Sequence, residues 1–96
     1  MNKKEHLLVC VNEECSEVAK AITKILRFGV DDRYPPISGT TNLEKLSEEC
    51  TDVLAVLEML EDAKIVQINR SRAAIELKKA KVFRYMDYAR ERKTLR

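Results

Sequence analysis

Residues 13–18 read Glu-Glu-Cys-Ser-Glu-Val, and residues 48–53 read Glu-Glu-Cys-Thr-Asp-Val. The second hexapeptide restates the first 35 positions later, with two conservative changes. Each lies inside an apolar pattern of helical period. Leu7, Val11, Val18, Ile22 and Ile25 share one stripe, with Cys15 filling its gap, and predict a helix from about Lys4 to Phe28. Leu46, Val53, Val56, Leu57 and Leu60 make the stripe of a second helix ending near Glu61 or Asp62. Two helices with matching stripes must bury them, against each other or against a partner.

The start and end signals agree with this division. Gly29 stands where a C-terminal cap is expected, with Lys24 and Arg27 at the negative end of the helix dipole. Thr41-Asn42-Leu43-Glu44 fits a capping box with Thr41 as N-cap. Between them, Asp31-Asp32, Tyr34-Pro35-Pro36 and Ser38-Gly39-Thr40 make residues 29–41 a loop, long enough to suggest a role of its own. Ile65-Val66-Gln67-Ile68 fits either a short extended piece or a helical continuation. A third helix is predicted from about Arg70 to Arg90, with Ile75, Val82, Met86 and Ala89 as its stripe.

The remaining composition bounds the class. Only two Gly and two Pro occur in 96 residues, with 45% apolar and 35% charged side chains, a helix-rich balance. The expectation is one all-α domain over residues 1–96, with three main helices. A chain of this size builds a modest core, so the helical bundle, of the four-helix kind, is expected to be completed by oligomerisation. Cys10, Cys15 and Cys50 are an odd count without a signal peptide, which argues for a reducing cytoplasm. No stretch approaches the roughly 20 apolar residues of a membrane span, so no membrane partner is expected. Charge is uneven: residues 1–69 hold eight Lys/Arg against 13 Asp/Glu, and residues 70–96 hold ten against three.

The hexapeptides carry the chemistry. Glu14 and Glu17, like Glu49 and Asp52, stand three residues apart. With Glu14 at 0°, Glu17 falls at about −60° and the stripe centre near +50°. With Glu49 at 0°, Asp52 falls at about −60° and the stripe near +40°. Both pairs therefore border the buried face, while Glu13 and Glu48 lie further round and read as surface charges. In an antiparallel pair the four carboxylates can face one another, and such crowding calls for protons or cations. Mg²⁺ suits carboxylate oxygens and phosphates, two or more ions are possible, and Mn²⁺ is a reasonable substitute. Axial register is close but not perfect: Glu17 lies about 16 Å before the first helix ends, and Glu49 about 12 Å after the second begins. The plain alternative is two solvated surface pairs.

Beyond the carboxylates, residues 13–29 (through Lys-Ile-Leu-Arg-Phe-Gly), Thr41-Asn42, residues 52–60 and Lys78-Lys79-Ala80-Lys81-Val82 resemble the MazG-like all-α NTP pyrophosphohydrolases, in particular the short phage-type members. The resemblance implies Mg²⁺-dependent cleavage of a nucleoside triphosphate, often a deoxy one, between the α- and β-phosphates. The products are the monophosphate and pyrophosphate. It implies Glu14, Glu17, Glu49 and Asp52 as metal ligands and catalytic groups. It also implies a dimer or tetramer in which helices of different protomers build each site.

Cations for the phosphates are available. Lys24 follows Glu17 by two helical turns, and Arg27 stands beside the loop. Lys79 falls inside the third stripe and Lys78 at its edge, where an ammonium needs a carboxylate or a phosphate as partner. Asn42 can meet a base edge or cap a helix. The competing reading is a non-enzymatic helical protein whose basic third helix contacts nucleic acid or an acidic partner. Against it, that helix mixes Ile, Val, Met and Tyr with its charges, as a packing helix does, and nucleic acid is the less expected partner.

Overall fold

Three helices follow in order: α1 (Lys3–Phe28), α2 (Asn42–Asp62) and α3 (Arg72–Glu91). The computed structural model describes residues 1–33, 36 and 39–96, and no strand occurs among them. The expected helix breakers Tyr34 and Pro35 and the turn residue Ser38 lie outside the described residues.

Side chains next to the helices set their boundaries. The Asn2 side chain accepts from the Glu5 N–H at 2.8 Å and the Glu5 carboxylate accepts from the Asn2 N–H at 3.0 Å, a reciprocal box that starts α1. Gly29 ends it at φ 98°, a conformation that a side chain would strain. Thr41 caps α2 as the sequence predicts, accepting from the Glu44 N–H at 3.1 Å. At its far end Lys64 adopts φ 59°. Its N–H donates to Glu61 O at 2.8 Å, and the Ile65 N–H donates to Leu60 O at 2.9 Å. This is a Schellman closure, so Ile65-Val66-Gln67-Ile68 is neither strand nor continued helix. Ser71 accepts from the Ala74 N–H at 3.1 Å, which starts α3 at Arg72, two residues later than the periodicity predicts.

α1 and α2 form an antiparallel hairpin. At the loop end Asn42 N donates to Asp32 O at 2.9 Å and Leu43 N to Val30 O at 3.1 Å. At the other end Lys3, Lys4 and Leu7 border the same depression as Ala63, Lys64 and Ile65. The seam is thin. Leu7, Ala21 and Leu60 are its buried apolar residues, and most of the predicted stripe is half-buried. Two stripe members depart from expectation. Ile22 is exposed, and Cys15, predicted to fill the gap in the α1 stripe, is exposed too. The small Ala21 is buried in the seam instead.

α3 stands apart. Among the described residues, no Cα of α3 comes within 8 Å of a Cα in α1 or α2. The stripe of Ile75, Val82, Met86 and Ala89 predicts a packing helix, but it packs on neither neighbour within one chain. Its base is tethered by Arg70 Nη1, which donates to Glu61 Oε2 at 2.7 Å. The result is an open molecule. Its radius of gyration is 17.0 Å, against about 13 Å for a compact chain of similar length. No helix is long and apolar enough to cross a membrane.

Candidate metal centre

Glu14 on α1 and Glu49 and Asp52 on α2 meet across the hairpin seam. Each can offer an oxygen such that all three lie within 4.8 Å of one another. The register is one turn of α1 away from a Glu17–Glu49 match, because Glu14, not Glu17, faces the α2 pair. Glu17 is half-buried beside them and is engaged by Lys20 at 3.7 Å.

Burial differs sharply among the three. Glu49 is only 5% exposed, Glu14 is half-buried and Asp52 is exposed. A buried carboxylate needs a counter-charge. Lys45, one turn earlier on α2, provides it, with Nζ 3.1 Å from Glu49 Oε1. The hydrogen bond to Glu49 and its negative charge push the Lys45 ammonium up. Glu14 has no such cation. Burial, followed by the charges of Asp52, Glu49, Glu17 and Glu13, raises its carboxyl above the ordinary glutamate value. One ammonium, that of Lys45, thus serves the three carboxylates that converge, and the donor set is all oxygen. That chemistry fits a hard divalent cation such as Mg²⁺.

The other predicted residues divide between two places. Lys24 and Asn42 border a depression of ≈ 340 Å³ together with Phe28 and Asp32, at the loop end of the hairpin. Asn42 is the first residue of α2, and its amide donates to Gly29 O at 2.9 Å and to Lys24 O at 3.5 Å. Arg27 stacks its guanidinium 4.7 Å from the centre of the Phe28 ring. Lys78 and Lys79 are on α3 and are not brought to the carboxylates within one chain. Lys79 is exposed and pairs with Glu76 at 3.4 Å.

Sequence reasoning missed Lys45, although its i, i+4 spacing to Glu49 is a readable signal. It also missed Phe28 as a pocket residue, whereas Asp32 lies in the loop from Asp31 to Asn42 where base or sugar recognition is expected. Cys15 and Cys50 border an apolar depression with Val18, Val53 and Leu54. On the helix wheels its lining residues lie about 100° to 160° round from Glu17 and Asp52, on the other side of the seam.

No protein-family model matches the chain, and neither a curated protein nor a solved structure matches it.

Proposed function

We propose that the protein is a Mg²⁺-dependent nucleoside triphosphate pyrophosphohydrolase that cleaves between the α- and β-phosphates. The observation that carries this reading is the convergence of Glu14, Glu49 and Asp52 within 4.8 Å from two helices, beside Glu17. These four residues hold the cation. Mg²⁺ there, or Mn²⁺ in its stead, supplies Lewis-acid polarisation of the phosphoryl oxygens. The chain's own groups do the rest. A carboxylate orients the attacking water and takes its proton. The water oxygen bonds to phosphorus, the α–β bridging bond breaks, and the monophosphate and pyrophosphate leave. Lys24 and Arg27 supply positive charge on the loop side.

The working form is a dimer or tetramer. Its support is the exposed surface: the single chain presents 8003 Å², against about 5,700 Å² for a compact monomer of this mass. The apolar depression opposite the carboxylates and the unpacked α3 are the surfaces a second copy covers. That arrangement leaves the carboxylates open and lets Lys78 and Lys79 of one copy approach the acidic site of another.

The test is direct. The protein is incubated with Mg²⁺ and each ribo- and deoxynucleoside triphosphate, and monophosphate and pyrophosphate are quantified. Turnover is expected, with a loss of at least about 100-fold in Glu49→Gln and in Asp52→Asn. No turnover with any triphosphate, or turnover that survives both substitutions, refutes the hydrolase.

One observation favours a second reading. Lys81, Arg84, Tyr85 and Tyr88 share a face of α3 that no other helix of the chain covers, with Lys81 Nζ 6.0 Å from the Tyr85 ring centre. Cations interleaved with aromatic rings are the chemistry of single-stranded nucleic-acid binding. Retention of an oligonucleotide that weakens steeply with salt, without triphosphate turnover, is its signature.

A further inference from the structure

Lys24 follows Glu17 by seven residues on α1, and Asn42 precedes Glu49 by seven on α2. Seven residues are two helical turns, about 10 Å of rise and about 20° of rotation. Lys24 is therefore nearly in line with Glu17, and Asn42 with Glu49. The Lys24–Phe28–Asp32–Asn42 depression continues the carboxylate face of the hairpin, two turns nearer the loop. A triphosphate held over the carboxylates has this depression within reach of its nucleoside.

The depression has a definite chemistry. Phe28 offers an aromatic face, being 54% exposed. The Asn42 amide N–H₂ is committed to Gly29 O and Lys24 O, which leaves its Oδ1 to accept. Asp32 lends its backbone carbonyl to Asn42 N, while its carboxylate has no hydrogen-bond or ion-pair partner among the described residues. Lys24 likewise has no carboxylate partner among them. The pocket is therefore lined by a ring, two acceptors and a lysine.

We propose that this depression is the nucleoside pocket and that it selects cytosine and adenine, which carry an amino group where uracil and thymine carry a carbonyl. The proposal rests on the hydrolase reading for its phosphate end, but the selectivity follows from the pocket alone. The amino group at cytosine C4 or adenine C6 donates to the Asp32 carboxylate or to Asn42 Oδ1, whereas uracil or thymine O4 at the same place sets acceptor against acceptor. Phe28 stacks on the base without regard to its identity.

Two measurements separate this inference from the reading beneath it. The first is kcat/KM with Mg²⁺ for dCTP, dATP, dGTP, dUTP and dTTP. dCTP and dATP are expected to lead dUTP and dTTP by about tenfold or more. Asp32→Asn, which turns a pure acceptor into a group that also donates, is expected to narrow that ratio several-fold. Phe28→Ala is expected to raise KM for all five with the ranking kept. The second is calorimetric binding of dCMP and dUMP, which requires no turnover. Here dCMP is expected to bind the wild type more tightly, and Asp32→Asn to erase most of the difference. Turnover with equal rates for all bases, or a ranking untouched by Asp32→Asn, overturns the pocket assignment and leaves the hydrolase standing. If no triphosphate is hydrolysed, the hydrolase falls and the binding measurement decides the pocket: a dCMP preference lost in Asp32→Asn upholds it, and its absence overturns it.

Discussion

Lys45 Nζ stands 3.1 Å from Glu49 Oε1, and Glu49 is the buried charged residue of the chain. The pair puts one ammonium into a cluster that otherwise holds only carboxylates. Lys45 occupies the electrostatic role that a divalent cation would take there. Lys45→Met keeps the aliphatic length and removes the charge, so Glu49 is left buried among Glu14 and Asp52 without compensation. The expected outcome is a lower melting temperature without metal, and a larger rise on adding Mg²⁺ than the wild type gives. Thermal unfolding with and without Mg²⁺ measures both. A Lys45→Met variant as stable as the wild type in chelator would count against the crowded-carboxylate account.

Asn42 makes a second prediction. Its amide closes the C-terminal carbonyls of α1 from the first turn of α2, at 2.9 Å to Gly29 O. Asn42→Ala loses that donor and is expected to cost about 1 kcal/mol in urea denaturation. Asn42→Asp is expected to cost more, because a carboxylate cannot donate and faces the same carbonyl oxygens. Equal stability of the two variants would mean that the amide contributes by shape alone.

How far the sequence was legible differs by element. α1 and α2 were readable because caps and stripe agree: Gly29 and Thr41 punctuate them where the apolar period stops and starts. The carboxylate pairs were readable as bordering the seam, since the helix wheel fixes direction. Axial register was not readable, because it depends on how the loop start folds back through Asp32 O and Val30 O onto α2. That offset is why Glu14 rather than Glu17 meets Glu49. The detachment of α3 was hidden for a different reason. A stripe such as Ile75, Val82 and Met86 says that a face is to be covered, and is silent on whether the cover comes from the same chain. Lys79 was assigned a partner on the same assumption and instead pairs along its own helix with Glu76.

The α3 tether is expected to be acid-sensitive. The hydrogen bond from Arg70 and its charge, with the Ile68 N–H, hold the Glu61 carboxyl below its ordinary value despite partial burial. Since the folded value lies under the 4.5 of a free glutamate, the contribution is complete above about pH 4.5. It is lost as pH falls through the lower folded value. Amide exchange across residues 65–71, corrected for its intrinsic pH dependence, should accelerate in that acid range and not between pH 5 and 8. Arg70→Ala should show the faster exchange already at neutral pH. An unchanged profile in Arg70→Ala would assign the tether to the backbone turn at Lys64 instead.

Stability should also depend on protein concentration. Among the described residues, the apolar core of one chain consists of Leu7, Ala21 and Leu60. Three such residues offset little of the conformational entropy lost in ordering three helices. Meanwhile Leu54 and Leu77 are 63% and 70% exposed, one on the apolar side of the hairpin and one on α3. A second copy that covers these surfaces makes folding and association one equilibrium, in which each tenfold dilution removes about 1.4 kcal/mol. The melting temperature should therefore fall on dilution from 100 to 1 µM, by several degrees per decade on the order expected for a domain of this size. Leu54→Glu places a charge in the apolar depression and should shift the mass in solution toward the monomer, while the carboxylate cluster on the opposite side keeps its residues. A monomer whose unfolding ignores concentration, and whose mass is unmoved by Leu54→Glu, would mean that α3 and the hairpin stand unpartnered in solution as they do in the single chain.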